Sequence, residues 1–205
     1  LPSQPFHRDG VRCLTMELRD KVVVVTGGAS GIGTGLCRRF REEGVRGLVI
    51  ADLNGDVAAD LAAEVGGKSY ALDVRDEAAL AAMVAETEAE FGQIDLFCSN
   101  AGILNLDDGN FWATSSPNEI WQRNWEVHVM AHIYAARACL PDMIRRGEGY
   151  FLHTVSAAGL LTQPYTAAYA TTKHAAIGFA ESLAITHGDD GVKVSCLCPQ
   201  AVATA

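Results

Sequence analysis

The stretch from Lys21 to Gly35, KVVVVTGGASGIGTG, constrains the fold more than any other part of the chain. Its four consecutive valines, 22–25, are typical of a strand buried on both faces of a parallel sheet. Glycines follow at 27, 28, 31, 33 and 35, and apolar residues at 36, 37 and 40 predict a helix over 35–44. A strand, a glycine turn and a helix together present backbone N–H groups and a positive helix end to a phosphate. By glycine spacing alone, a turn without a ligand fits about as well.

An acidic residue at the end of the next predicted strand points to the kind of ligand. The segment 45–54, VRGLVIADLN, is apolar up to Asp52, which lies 19 residues after Gly33. In a dinucleotide-binding fold this strand ends beside the adenosine ribose, where a carboxylate accepts hydrogen bonds from ribose hydroxyls and repels a 2′-phosphate. No Lys or Arg between Thr26 and Gly35 is present to receive such a phosphate. Asp52 therefore favours NAD over NADP, although a strand-end or helix-capping aspartate has the same pattern.

Strand and helix patterns alternate along the rest of the chain. Further strands are predicted over 68–74, 93–102, 149–157 and 191–198, and helices over 56–66, 77–91, 118–145 and 167–187. Asp76 is expected to cap the third helix, and Pro141 to kink or end the fourth. The alternation predicts one α/β domain over 18–205, a Rossmann-type doubly wound parallel sheet with helices on both faces. Residues 1–17 lack periodicity, and we expect an arm or an expression remnant there.

Composition narrows the class of partner. The chain has 205 residues, of which 49% are hydrophobic and 20% charged, values typical of a globular domain. A net charge of −9 argues against a nucleic-acid or anionic-membrane surface. No run of 18 apolar residues predicts a membrane span. The six cysteines show no C-x-x-C spacing, which favours buried thiols in a reducing compartment, so we expect a cytoplasmic protein.

Three residues near the C-terminal third form a candidate catalytic group. Tyr169 and Lys173, in YATTK, are four apart and share one face of the predicted helix. A tyrosine hydroxyl ordinarily ionises only near pH ~10, but a nearby ammonium stabilises the phenolate. Such a tyrosine can exchange a proton with a substrate hydroxyl or carbonyl. Ser156, just past the fifth strand, would lie on the ligand side of the sheet and could hold the substrate oxygen.

Together these residues make the chain resemble the classical short-chain dehydrogenase/reductase family. The matching motifs are TGGASGIG at 26–33, Asp52, DV at 73–74, NAG at 100–102, Ser156, and YATTK at 169–173. The resemblance implies hydride transfer between NAD and a secondary alcohol or ketone. It makes Tyr169 the general acid/base, Ser156 the group that orients the substrate oxygen, and Lys173 the residue that binds the nicotinamide ribose and acidifies the tyrosine.

The resemblance also implies a cofactor site and an assembly. The residues expected to contact NAD are Gly27, Ser30, Gly31, Ile32, Gly33, Asp52, Leu53, Asp73, Val74, Asn100, Ala101, Gly102, Tyr169, Lys173, Pro199 and Val202. The other partner is a small-molecule alcohol or ketone, and neither nucleic acid nor membrane is expected. Family members commonly form dimers or tetramers by pairing the two long helices, here 119–145 and 167–187.

The chain departs from the family pattern at three places. His128 stands where the family has an asparagine that helps to hold a proton-relay water, and we expect His128 to take over that role. Gln200 follows Pro199 where the family has glycine, so the loop beside the nicotinamide is expected to differ. The sequence ends at Ala205, whereas the family continues through a substrate-covering segment and a seventh strand.

One other enzymatic function and one non-enzymatic function remain open at this stage. An acyl-thioester ketoreductase would be expected to prefer NADPH, which Asp52 argues against. A nucleotide-binding protein without turnover is argued against by Ser156, Tyr169 and Lys173. His128 and His132 have the i, i+4 spacing of zinc ligands, but the glutamate of HExxH is missing and no third ligand is apparent, so we expect no metal site.

Overall fold

A computed structural model of the chain describes residues 16–107 and 112–203. The strands are β1 (Val22–Thr26), β2 (Gly47–Asp52), β3 (Lys68–Ala71), β4 (Leu96–Ser99), β5 (Gly149–Thr154) and β6 (Val192–Leu197). The helices are α1 (Gly31–Glu42), α2 (Gly55–Val65), α3 (Glu77–Phe91), α4 (Asn118–Trp125), α5 (Ala131–Arg146) and α6 (Ala167–His187). A π-helical turn (Glu126–Met130) joins α4 to α5, and a 3₁₀ turn (Ala157–Gly159) follows β5.

All six strands are parallel and lie in the order β3-β2-β1-β4-β5-β6. The chain moves outward from β1 to β3, then crosses back and continues from β4 on the other side of β1. The loops that follow the neighbouring strands β1 and β4 therefore run in opposite directions. Their divergence opens a crevice at the carboxyl ends of the two strands. This arrangement confirms the predicted Rossmann-type, doubly wound sheet.

The sheet is covered on both faces, as the valine run predicted. Val22 and Val24 pack with α3, α5 and α6, whereas Val23 and Val25 pack with α1 and α2. All four valines are fully buried. Because burial of an apolar side chain stabilises by about 1.5–3 kcal/mol, this strand anchors the loop that follows it.

Several local expectations were tested at helix ends. The carboxylate of Asp76 accepts a hydrogen bond from the Ala79 N–H (3.0 Å), so Asp76 caps α3 as expected. Helix α1 begins at Gly31, four residues before the predicted start, and Gly31 itself has φ +50°. Pro141 does not end its helix, since α5 runs through Pro141 to Arg146. The irregularity lies instead at the π-helical turn.

The remaining expectations concern the ends of the chain, the thiols and the membrane. Most of the expected N-terminal arm lies outside the described residues, and Met16 and Leu18 already pack against the core. Cys37, Cys98 and Cys139 are buried free thiols, while Cys196 and Cys198 are half-buried and also free. Within the two described ranges, no helix is both long and apolar enough to cross a membrane.

Candidate active site

A cleft of about 470 Å³ opens at the carboxyl ends of β1, β4 and β5. Of the expected cofactor residues, those that line it are Gly27, Ser30, Ile32, Asp52, Leu53, Asp73, Val74, Asn100, Ala101, Gly102, Tyr169, Lys173 and Pro199. Gly31, Gly33 and Val202 do not line the cleft, and neither do Ser156 and His128. Sequence analysis missed several lining residues, among them Arg75, Arg123, Thr154 and Leu104.

The glycine loop is packed so closely that side chains have no room. Gly27 has φ +62°, and a Cβ there would lie 2.6 Å from the Cα of Ala101. A Cβ on Gly33 would collide with the Gly27 carbonyl oxygen and lie 2.8 Å from Nδ2 of Asn100. Only glycine therefore lets this loop turn, with its backbone against β4, and enter α1. No acidic residue occupies the first turn of α1, so its positive end faces the cleft without a neutralising charge.

Asn100 fastens the glycine loop to the end of β4. Its side-chain Nδ2 donates to the carbonyl oxygens of Thr26 (3.1 Å) and Gly27 (3.0 Å). Its backbone N–H donates to Oγ1 of Thr26 (3.1 Å). Three hydrogen bonds from one residue thus hold the two strand ends in fixed relation, and the N–H groups that line the cleft are held in place before a ligand binds.

The Asp52 carboxylate is held at the end of β2 by two backbone N–H groups. Oδ2 accepts from Ala29 (3.0 Å) and Oδ1 accepts from Asn54 (2.9 Å). These bonds fix the carboxylate on the wall of the cleft and leave each oxygen a further lone pair. An anion placed beside it would meet a fixed negative charge.

Asp73 lies at the other side of this end of the cleft and is paired with Arg75. The Nη2 of Arg75 lies 2.6 Å from one carboxylate oxygen, and its Nε lies 3.0 Å from both. The Arg75 guanidinium lowers the pKa of the Asp73 carboxyl, and Arg123 adds to this effect. Arg75 also lies 3.7 Å from Glu126. An arginine two residues after a strand-end aspartate was the only sequence signal for this pair.

Lys173 lies at the bottom of the cleft, and its side chain is only 3% exposed. Its Nζ donates to the carbonyl oxygen of Thr154 (3.1 Å) and lies 5.6 Å from the centre of the Tyr169 ring. Burial lowers the pKa of Lys173 to about 8. The helical spacing of YATTK therefore brings an ammonium beside the phenol ring, as the sequence predicted.

Ser156 follows β5 and caps the 3₁₀ turn. Its Oγ accepts a hydrogen bond from the Ala158 N–H (3.1 Å), and the residue is 7% exposed. Because this bond uses a lone pair of Oγ, the hydroxyl hydrogen is left to donate to another group. The turn is tied to the end of β6, since the Ala157 N–H donates to the carbonyl oxygen of Pro199 (2.9 Å).

The ring of His128 is fully buried, and protein groups partner both of its nitrogens. Nε2 accepts from the Ile103 N–H (3.1 Å), so the ring proton lies on Nδ1 and faces Oγ1 of Thr172 (3.0 Å). Burial, followed by repulsion from Lys173, lowers the pKa of His128 to about 3. The expectation that the ring itself holds a relay water needs correction, because neither nitrogen is left for one. The ring instead joins the π-helical turn to the loop after NAG.

His132, one turn further along, does not share a site with His128. It is fully buried and stacks on His153 of β5, with ring centres 4.6 Å apart and planes 12° apart. Among the described residues, none hydrogen-bonds to either ring. Burial lowers the pKa of His153 to about 4 and that of His132 well below its ordinary value. The described residues contain no cluster of three metal-ligating side chains.

The loop around Gln200 has ordinary backbone angles. Among the described non-glycine residues, only Asp20 and Tyr165 have positive φ. Gln200 is exposed, and Pro199 beside it lines the cleft. The glycine expected by the family pattern is therefore not required by the backbone that this chain adopts.

In a comparison with known proteins, one family model matches most of the chain. The model described as short chain dehydrogenase matches residues 21–205. A 1-deoxy-11-beta-hydroxypentalenate dehydrogenase of Streptomyces exfoliatus is 35% identical over 195 residues, covering 92% of this chain and 70% of the relative. A 3beta-hydroxysteroid dehydrogenase 2 of Eggerthella lenta is 32% identical over 190 residues, covering 89% and 71%.

A solved structure shows the same architecture with a ligand. The short chain dehydrogenase/reductase from Burkholderia phymatum in complex with NAD superimposes with a TM-score of 0.85 and 29% identity. The match covers 93% of this chain and 69% of that one. This chain therefore shares its fold with a protein that was solved in complex with NAD.

Proposed function

This chain belongs to the short-chain dehydrogenase family, and from that premise we propose that it is an NAD-dependent oxidoreductase of secondary alcohols and ketones. The observation that carries the proposal is the placement of a buried ammonium, Lys173, 5.6 Å from the Tyr169 ring in the cleft at the carboxyl ends of the strands. A relative named as a hydroxysteroid dehydrogenase and another named as a hydroxypentalenate dehydrogenase support oxidation at a CH–OH group.

The residues at the adenosine end fit NAD. The glycine loop has no room for a Cβ at Gly27 or Gly33, the start of α1 carries no acid, and Asn100 holds the loop open. These groups would hold the pyrophosphate, and Asp52 would accept hydrogen bonds from the adenosine ribose. When bound, the nicotinamide supplies the hydride acceptor or donor.

Side chains of the protein itself carry out the proton transfer. As the phenolate, Tyr169 takes the hydroxyl proton of the alcohol as the hydride leaves, and as the neutral phenol it returns the proton in the reverse reaction. The positive charge of Lys173 stabilises the phenolate that accepts the proton. Ser156 donates its hydroxyl hydrogen to the substrate oxygen and keeps the reacting C–H group aimed at the nicotinamide. His128 has a positioning role, because its ring accepts a hydrogen bond from the Ile103 N–H and so holds that loop in place.

The cofactor preference is tested at Asp52. We expect the unmodified protein to bind NAD much more tightly than NADP, because the fixed carboxylate repels a 2′-phosphate. Asp52→Ala should weaken NAD binding, strengthen NADP binding and narrow the ratio of the two dissociation constants. Asp60→Ala, which removes the same charge from an exposed position of α2, should leave the ratio unchanged.

Turnover of alcohols and ketones with both cofactors separates this proposal from its rivals. Equal affinity of the unmodified protein for NAD and NADP would contradict the role of Asp52. Preferred reduction of an acyl thioester with NADPH would point to the ketoreductase alternative. Binding of NAD without turnover of any alcohol or ketone would favour a non-catalytic nucleotide-binding protein.

For assembly, we propose pairing of subunits through α5 and α6. A shallow groove of about 240 Å³ between these helices is lined by apolar side chains that include Ile133, Leu140 and Phe179. Apolar grooves of this kind mark contact surfaces between proteins. Light scattering in solution tests the proposal, which a monomer at all concentrations would contradict.

A further inference from the structure

The first turn of α6 carries Tyr169 but is not capped by the residue that precedes the helix. The first N–H groups of a helix have no partner within it, and the side chain of the preceding residue usually accepts a hydrogen bond from one of them. That residue is Thr166 here, and its side chain makes no capping bond. The Thr166 hydroxyl donates instead to the carbonyl oxygen of Gln163 (3.1 Å). The start of α6 is capped from another part of the chain.

The group that caps α6 is the carboxylate of Asp107, which lies 60 positions before Ala167 in the chain. Both carboxylate oxygens lie 3.2 Å from the backbone nitrogen of Ala167, the first residue of α6, and accept its hydrogen. The Asp107 N–H donates to the carbonyl oxygen of Tyr165 (2.8 Å). Ser116 Oγ also donates to the carboxylate (3.0 Å), and α4 begins two residues after Ser116. Asp107 therefore joins the loop after β4 to the starts of both helices.

The contacts of Asp107 are shielded from water. Asp107 is 5% exposed, Ser116 is 8% exposed and Thr166 is fully buried. Hydrogen bonds to a carboxylate are roughly twice as strong as bonds between neutral groups, and they strengthen further where water is excluded. A negative group also suits the positive N-terminal end of a helix, and the first turn of α6 contains no acidic residue. Asp107 therefore supplies both the acceptor and the negative group that the start of α6 lacks.

The turn that leads into α6 has an unfavourable backbone conformation. Tyr165 has φ +65°, and among the described residues other than glycine only Asp20 shares a positive φ. A bulky residue adopts this conformation where the surrounding contacts force it to do so. The hydrogen bond from the Asp107 N–H to the Tyr165 carbonyl oxygen is one such contact. Asp107 therefore fixes the chain on both sides of Thr166, at Tyr165 and at Ala167.

The other side of this first turn is held by Thr172 and His128. The Thr172 Oγ1 lies 2.9 Å from the carbonyl oxygen of Ala168 and 3.0 Å from that of Tyr169. The His128 ring contacts Thr172 Oγ1 through Nδ1 (3.0 Å) and meets the Tyr169 ring edge-on, with ring centres 5.4 Å apart. Tyr169 thus lies between two anchors, and only two residues separate it from Ala167. A shift of the helix start at Ala167 is therefore passed on to the tyrosine.

From these contacts we propose that Asp107 is a positioning residue for Tyr169. Its carboxylate holds the first turn of α6, and with it the tyrosine, where the proton transfer requires it. Asp107 is not among the described residues that line the cleft, so it acts through the helix and not on the substrate or the cofactor. A misplacement of about 1 Å can cost about a hundredfold in rate, so a change at Asp107 should appear in kcat. The inference rests on the proposed function and adds a residue to it.

A kinetic comparison of variants tests the proposal. The unmodified protein is assayed with NAD and 2-butanol, cyclohexanol or 1-phenylethanol, and the alcohol that it oxidises fastest is used for every variant. Asp107→Ala removes the cap, and we expect it to lower kcat at least about tenfold, because Tyr169 is no longer held in place. The dissociation constant for NAD, measured by fluorescence titration, should change less than about threefold, because the glycine loop and the strand ends provide most of the cofactor contacts.

Two further variants separate the position of the carboxylate from its charge. Asp107→Asn keeps the shape and removes the charge, since its amide oxygen can accept from the Ala167 N–H while its NH2 group donates to Ser116 Oγ. Its kcat should stay within about threefold of the unmodified protein. Asp107→Glu keeps the charge, but the additional methylene displaces the carboxylate from its donors, and kcat should fall at least about fivefold. This pair of variants tests the proposal even if Asp107→Ala does not fold.

The matched control is the capping aspartate of another helix. The Asp76 carboxylate caps α3 by accepting from the Ala79 N–H (3.0 Å), and Asp76 is not among the described residues that line the cleft. Asp76→Ala should therefore lower Tm, as Asp107→Ala does, because both lose a helix cap. Only Asp107→Ala should also lower kcat.

The outcomes distinguish this inference from the proposed function. If none of the alcohols reduces NAD, the proposed function falls and this inference falls with it. If the unmodified protein oxidises an alcohol and Asp107→Ala keeps its kcat, the function stands and the positioning role is overturned. A kcat for Asp107→Glu equal to or above that of Asp107→Asn would also overturn it, because charge rather than position would then matter. The same holds if Asp76→Ala lowers kcat as much as Asp107→Ala, because general loss of stability would then explain both.

Discussion

The two ends of the cleft use opposite chemistry. At the end that we propose to bind the adenosine, the side chains are charged and partly exposed, and Asp73 is paired with Arg75 across 2.6 Å. At the catalytic end the polar groups are buried and have neutral partners. Lys173 donates to a backbone carbonyl rather than to a carboxylate, and His128 is held by a backbone N–H and a threonine hydroxyl.

The difference reflects what each end has to do. Exposed carboxylates discriminate between ligands by charge and cost little to keep ionised in water. Buried groups without counter-charges are costly, but burial moves their pKa values, which is how a site prepares groups for proton transfer. Burial lowers the pKa of Lys173 to about 8 and that of His128 to about 3. Burial therefore brings the pKa of Lys173 nearer to neutral pH and moves the pKa of His128 below the physiological range.

The largest expected effect is at the catalytic end. Tyr169→Phe keeps the ring beside Lys173 and removes the hydroxyl, so hydride transfer should fall by the ~10²–10⁴-fold typical of a lost general acid/base. NAD binding, measured by fluorescence titration, should persist. Tyr70→Phe removes a hydroxyl that bonds to Glu86 on the surface and should not slow turnover. Near-normal turnover of Tyr169→Phe would mean that another group transfers the proton.

The second prediction concerns the addition of a single methyl group at the end of the cleft that we propose to bind the adenosine. In Gly33→Ala the new Cβ meets the Gly27 carbonyl oxygen and the Asn100 amide, so we expect NAD affinity to fall at least about tenfold, because the loop must move. Gly35→Ala lies one half-turn further along α1, where a Cβ meets nothing within 4 Å. It should raise the free energy of unfolding by about 0.5–1 kcal/mol. Equal NAD affinity of the two variants would show that the loop tolerates a side chain.

A third prediction concerns the buried histidines behind the catalytic end. Because folding lowers the pKa of His153 from 6.5 to about 4, the unfolded chain takes up a proton below pH ~6.5 that the folded chain rejects. The free energy of unfolding should therefore fall as the pH drops from 8 to 5, with about 2 kcal/mol of the loss due to His153. The titratable group in contact with His153 is His132, and the pKa of His132 is itself lowered by burial and by repulsion from His153, Lys173 and His128.

Urea unfolding at pH 8 and pH 5 measures this loss. His153→Phe keeps an aromatic ring in the stack and should reduce the loss by about 2 kcal/mol. Phe179→Leu loosens packing against the same ring without removing a titratable group, so its effect should be equal at the two pH values. If His153→Phe left the pH dependence unchanged, His153 would have to be protonated in the folded state.

The smallest expected effect is at His128. His128→Asn supplies a side-chain oxygen that can accept from the Ile103 N–H, so turnover should stay within about tenfold of the unmodified protein. His128→Leu has no acceptor and should lower kcat further, because a buried N–H is left without a partner. Since the ring is neutral well above pH 3, the pH–rate profiles of the unmodified protein and His128→Asn should share the same shape from pH 5 upward. An acid limb that only the unmodified protein shows would restore a titrating role for His128.

Much of the fold could be predicted because it depends on patterns of residues that are close in the chain. The valine run, the glycine spacing and the strand-end aspartate each determine the structure of nearby residues. Their positions in the sheet follow from the strand order. Tyr169 and Lys173 could be paired because helix geometry fixes residues four apart. The predicted start of α1 was four residues late and Pro141 did not end its helix, because a glycine or a proline in the sequence does not by itself fix a helix boundary.

The sequence by itself determined the fold class and many of the residues that line the cleft, since these depend on periodicity and on short spacings. Only the tertiary structure decided that both ring nitrogens of His128 are occupied, that Arg75 pairs with Asp73, and that His132 stacks on His153. Those outcomes depend on burial and on contacts between separate elements, and partners such as His128 and Thr172 are 44 positions apart in the chain. Burial also sets the pKa values of Lys173 and the histidines, because a charge is disfavoured only where folding has removed the water around it.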